Sequence, residues 1–173
     1  MDIKNLKLNI EQKVLSTKRV VIVPHNRIDF DAIGSALGLA VIVKKMNAEP
    51  LIVVNDDISK MQRGIQTIIA DVKDSYRIMT RDEYLGYARS DDLIILTDVN
   101  KRGMVSIGDK IDDPKRTIII DHHDMDDTTI KSDSTFVDEN ELKAYANHPA
   151  HVNVADNKVS PYTKARACMD FEA

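Results

Sequence analysis

Between residues 25 and 31 the chain places one imidazole and two carboxylates, His25, Asp29 and Asp31, in the segment His25-Asn26-Arg27-Ile28-Asp29-Phe30-Asp31. Two later segments, Thr97-Asp98-Val99-Asn100 and Ile120-Asp121-His122-His123, each end an apolar run in an acid, the second with paired histidines. Carboxylate oxygen and imidazole nitrogen without thiolate suit Mn²⁺, Fe²⁺, Co²⁺ or Zn²⁺ rather than copper(I), and pure Mg²⁺ or Ca²⁺ sites seldom use histidine. Two such cations about 3.5–4 Å apart need one bridging carboxylate plus separate ligands. Together they acidify a shared water and screen a phosphoryl group during in-line attack. His25, Asp29 and Asp31 could serve both ions from one loop.

Taken singly, these residues have plainer readings. Asp31 alone reads as a helix N-cap, His25 alone as a structural histidine, and the histidine pair as loop residues facing solvent. Asp124, Asp126 and Asp127 read as a solvated acidic loop. Capping does not explain an acid at the end of three separate apolar runs, two of them with histidine.

The elements that must position these groups follow from periodicity. Short β-branched or aliphatic runs predict strands at 20–23, 51–54, 76–79, 93–97 and 117–120. Apolar residues at helical spacing predict helices at 31–45, 59–70 and 82–89, the first ending in lysines that suit the helix dipole. Strand runs without alternation belong to parallel strands covered on both faces, so the fold class is α/β, an open doubly wound and mostly parallel sheet with helices on both faces. Ligands in such folds bind outside the carboxyl ends of the strands, where these acids and histidines fall.

Composition sets the limits. The 173 residues make about one domain, and 43% hydrophobic with 30% charged residues is ordinary for a globular chain. A net charge of −4 and no basic, aromatic-rich stripe argue against capture of duplex nucleic acid. A single cysteine, Cys168, fits a reducing compartment, and the expected location is cytoplasmic. No apolar run reaches the roughly 20 residues of a membrane span, and the start carries no signal-peptide pattern. Isoleucine, frequent through residue 138, is absent from 139–173, where alanine becomes common. The expected division is therefore a domain over 1–138 and an irregular, compositionally distinct tail over 139–173, either a polar extension or the product of a frame change or junction.

His25, Asp29, Asp31, Ala32 and Gly34, then Asp98, then Asp121-His122-His123 resemble, in order, three motifs of the DHH phosphoesterase superfamily. The resemblance covers residues 18–137. Asp98-Val99-Asn100-Lys101 and Thr135-Phe136-Val137 are most similar to the branch of bacterial cyclic-di-AMP phosphodiesterases. It implies that His25, Asp29 and Asp98 hold one Mn²⁺ and that Asp31, the bridging Asp98 and His122 hold a second, with Co²⁺, Fe²⁺ or Mg²⁺ as substitutes. It further implies that His123 meets the scissile phosphate or protonates the departing oxygen, that Asp121 orients the histidines, and that Gly34 and Ser35 border the substrate.

The implied activity is hydrolysis of the 3′-5′ phosphodiester of a dinucleotide. Oligoribonuclease-like and pyrophosphatase-like activities, and a catalytically silent metal- or nucleotide-binding lobe, are the alternatives. A non-metal flavodoxin-like regulatory domain shares the sheet, but the three histidines argue against it. The family's fourth acidic motif has no clear counterpart, since Asp138, Asp156 and Asp170 lack its context, and its glycine-rich second domain is not found in this chain. The expected partner is a dinucleotide or small phosphate ester. Self-association is left open, and a longer relative could be membrane-anchored.

Overall fold

In a computed structural model, residues 3–54 and 57–137 are described. The tail and the residues within it, Asp138, Asp156, Cys168 and Asp170, lie outside them. Six strands form one sheet: β1 (Arg19–Pro24), β2 (Glu49–Val54), β3 (Arg77–Thr80), β4 (Leu93–Thr97), β5 (Thr117–Asp121) and β6 (Ser134–Val137). Every neighbouring pair is parallel, in the order β3-β2-β1-β4-β5-β6. The chain thus winds outward from β1 in one direction, returns, and winds outward in the other. The crevice where it reverses lies between β1 and β4, the place where open α/β sheets bind ligands.

Successive side chains of a strand point to opposite faces, and here both faces are covered. On one face Val20, Ile22, Ile52, Val54, Ile95 and Ile118 pack against helices α1 (Ile3–Leu15), α2 (Phe30–Lys45) and α3 (Arg63–Val72), through side chains such as Val14, Ile33, Ala36 and Ile65. On the other, Val21, Val23, Leu51, Val53, Leu96 and Ile119 meet Tyr84 of the short helix α4 (Arg81–Leu85). The rest of that cover is irregular chain after β4, with Val99, Val105, Ile107 and Ile111 buried between tight 3-10 turns. Helices on both faces are thus present, with coil doing much of the work on the second face.

Sheet strands β1 and β4 are also clamped at their starting ends. Arg19 donates through Nε and a terminal nitrogen to the two oxygens of Asp92 at 2.6 and 2.7 Å, and Tyr84 donates its hydroxyl to the same carboxylate at 3.1 Å. Arg19 and Asp92 side chains are each only 3% exposed, and the carboxylate holds the guanidinium above its ordinary range. The site lies at the opposite end of these strands.

Candidate metal centre

Strand β1 ends at Pro24, and His25 follows as a buried residue bridged in antiparallel fashion to Val105. Four residues on, Asp29 caps α2: its Oδ1 accepts the Ala32 N–H at 3.0 Å. The cap is therefore Asp29 rather than Asp31, which falls in the first helical turn. Capping fixes the Asp29 carboxylate and leaves its Oδ2 at 3.7 Å from His25 Nε2.

Asp98 follows β4 in the left-handed region, with φ of 59°. Few residues other than glycine, asparagine and aspartate rest there, and such strain concentrates at functional sites. Its N–H donates to the Ile120 carbonyl at 2.9 Å, which ties this turn to β5. The buried carboxylate faces two ways. Oδ2 lies 3.4 Å from His25 Nε2, while Oδ1 lies 3.0 Å from His122 Nε2 and 3.8 Å from His123 Nδ1.

Two groups of ligand atoms result, His25-Asp29-Asp98 and Asp98-His122-His123, the atoms of each within 4.8 Å of one another. Asp98 belongs to both. Asp31, expected to share the second set, is in neither group, and His123, expected against the substrate, is in the second. The Asp31 carboxyl nevertheless feels the same field. Partial burial and then the charge of Asp98 raise it above the usual carboxylate range, and His122 works in the opposite direction.

Asp121 ends β5 and its side chain is fully buried. Its Oδ1 accepts from the His122 and His123 backbone N–H groups at 2.8 and 3.3 Å, and lies 2.7 Å from His123 Nδ1. A proton on Nδ1 donated to this carboxylate leaves Nε2 as the free, basic nitrogen of His123. The two histidine rings stand 4.3 Å apart between centroids. Ser35 donates to Asp31 at 3.5 Å, and a Cβ built on Gly34 would meet nothing within 4 Å, so no protein atom requires glycine there.

Sequence reasoning missed Asn100. Buried behind the histidine turn, its side-chain amide donates to the backbone carbonyls of His123 and Asp124 at 3.1 and 3.3 Å, and its backbone carbonyl accepts the Ile130 N–H at 2.8 Å. Its signal was its place in Asp98-Val99-Asn100-Lys101, a stretch that carries a family likeness but assigns the amide no role.

The donor set fits divalent cations. Asp98 pairs only with histidines among the described residues, and its buried Oδ1 makes no hydrogen bond with them. The His25 pKa is raised, first by its contact with Asp98, while burial works against the shift. A buried carboxylate without a fixed cation is costly, and a divalent ion is the compensation that oxygen and imidazole ligands supply.

Residues 19–165 match the family model described as the DHH family, N-terminal domain. The chain belongs to the DHH family. This DHH domain is 25% identical over 118 residues to the cyclic-di-AMP phosphodiesterase GdpP of Bacillus subtilis, covering 66% of this chain and 18% of the relative. GdpP of Geobacillus thermodenitrificans matches with the same identity and coverage. The DHH chain therefore spans less than a fifth of the length of these curated relatives. A crystal structure of an exopolyphosphatase-related protein from Bacteroides fragilis shares the fold, with a TM-score of 0.57 and 24% identity over 79% of this chain and 39% of that one. DHH domains are metal-dependent, and family and relatives together support a phosphoesterase. Among the described residues, no helix is long and apolar enough to cross a membrane.

Proposed function

We propose that this DHH domain hydrolyses the 3′-5′ phosphodiester of a dinucleotide, of the cyclic-di-AMP type, with two Mn²⁺ ions. The observation that carries the reading is Asp98, which turns one carboxylate oxygen toward His25 and the other toward His122 and His123. His25, Asp29 and Asp98 would hold one ion; Asp31, Asp98 and His122 would hold the other. The bound pair supplies Lewis acidity toward the phosphoryl group and a water acidic enough to attack it.

The chain's own residues do the rest. Asp121 fixes the His123 tautomer and ring, so that Nε2 can meet the phosphate or pass a proton to the departing oxygen. Asn100 pins the turn beneath it. Gly34 and Ser35 border the path by which substrate reaches the crevice. We further propose that the domain occupies residues 1–138 and acts in the cytoplasm.

The test is to incubate the purified chain with Mn²⁺ and either cyclic-di-AMP or linear diadenylate, and to resolve products by chromatography. Hydrolysis is expected, with His123→Ala slowing turnover more than it weakens Mn²⁺ binding. Two bound ions with no cleavage of either compound would favour a silent binding lobe.

A further inference from the structure

Three of the large apolar side chains exposed among the described residues stand on chain segments next to the metal centre's ligand candidates. Phe30, 58% exposed, separates Asp29 from Asp31; Met104 is 48% exposed; Met125, 53% exposed, closely follows His123. Met104 is brought to the site by backbone pairing: its carbonyl accepts the N–H of Asn26, the neighbour of His25, at 2.6 Å. Phe30 is braced. A Cβ built on Gly64, at the start of α3, would fall 2.7 Å from Phe30 Cζ, so the ring lies against a residue that offers no side chain.

Scattered surface hydrophobes need no explanation, but three on the segments that carry or adjoin one polar cluster point to a ligand site. The polar centre suits a phosphate, and the apolar groups stand on the chain segments beside its ligand candidates. A phosphodiester with a nucleobase on each side has this distribution of polarity, whereas inorganic pyrophosphate or polyphosphate has nothing to place on phenyl or thioether groups. Resting on the dinucleotide reading above, we infer that Phe30 is a stacking plate for a nucleobase, with Met104 and Met125 completing an apolar rim that selects nucleotidyl esters over inorganic phosphates. Aromatic stacking is tolerant of base identity, and methionine sulfur adapts to ring edges.

The experiment titrates the full chain, saturated with Mn²⁺, with adenosine monophosphate, ribose 5-phosphate and inorganic pyrophosphate by calorimetry. A 2-aminopurine nucleotide reports stacking by fluorescence quenching. Adenosine monophosphate should bind more tightly than ribose 5-phosphate. Phe30→Ala should weaken it by about 5- to 150-fold, the range of one stacked base, while pyrophosphate and Mn²⁺ affinities stay unchanged. Phe30→Tyr should restore binding and quenching. Gly64→Ala, which keeps the phenyl ring but displaces it, should lose both in part. Equal binding of the adenine and ribose phosphates, or equal losses for nucleotide and pyrophosphate in Phe30→Ala, would overturn the inference. Diadenylate cleavage with an unaltered preference in Phe30→Ala would sink the rim alone; cleavage of pyrophosphate but of no dinucleotide would sink the proposed function with it.

Discussion

At Asp98, backbone conformation and side-chain chemistry demand the same short list of residues. Its left-handed φ is comfortable for asparagine as well as aspartate, so Asp98→Asn removes the charge and keeps the turn. The expected outcome is a folded protein, by circular dichroism, that has lost Mn²⁺ from both positions by calorimetry; full stoichiometry in this variant would contradict a shared carboxylate. The candidate residues stood out in the sequence because acids and histidines after buried apolar runs are hard to explain by packing. Which of them lie within reach of one another did not. Only the fold shows that Asp29, not Asp31, caps the helix, and only side-chain direction puts His123 beside Asp98. Asn100 works through two backbone carbonyls, an interaction that leaves no compositional mark.

Elements were read well where burial is two-sided, as in β1, β4 and β5, whose unbroken aliphatic runs leave no rival assignment. β6 passed unread because Ser134 and Thr135 break the run, and α1 passed unread although Leu6, Ile10 and Val14 recur at helical spacing. The coil between β4 and β5 could not have been foreseen as a cover, since 3-10 turns have no periodicity. Its tightest point is Gly108, where an added Cβ would lie 2.0 Å from the Arg102 carbonyl oxygen. Gly108→Ala must therefore move backbone and should cost about 1–3 kcal/mol, read as a lower urea midpoint. The same coil is tied to α4 by Arg81, which pairs with Asp109 at 2.7 Å and depresses its carboxyl to about 2. A depressed acid stabilises the fold above its unfolded value, about 4, and that contribution fades as pH falls through about 2. Asp109→Asn should thus be less stable than the parent at neutral pH by an amount that shrinks between about pH 4 and pH 2, as measured by thermal unfolding across that range.

On the scale of the whole molecule, the sheet is held at one end by an ion pair and worked at the other. Asp92 accepts from Arg19, Tyr84 and the Arg89 backbone N–H within a buried pocket. Asp92→Ala strands a buried guanidinium and should cost about 3–5 kcal/mol, lowering the urea midpoint with an unchanged slope. That parallel strands would deliver the site residues to one edge was readable from their order along the chain. The reversal between β1 and β4 was not, because strand order is decided by pairings between distant segments.

The coil that roofs the second face is also stitched to both halves of the metal centre, through the bridge from His25 to Val105, the bond from Asn26 to Met104 and the bond from Ile130 to Asn100. Coil bonded mainly through short local turns opens at less cost than strands or helices do, and a ligand that binds only the closed form lowers the open population by mass action. Hydrogen–deuterium exchange at the Asn26 and Ile130 amides should therefore slow on adding Mn²⁺ while amides within β1 keep their rates. Ion occupancy, in other words, would be audible in the breathing of a stretch of backbone that contributes Asp98 at its very first step and, two residues on, the amide that pins the histidine turn.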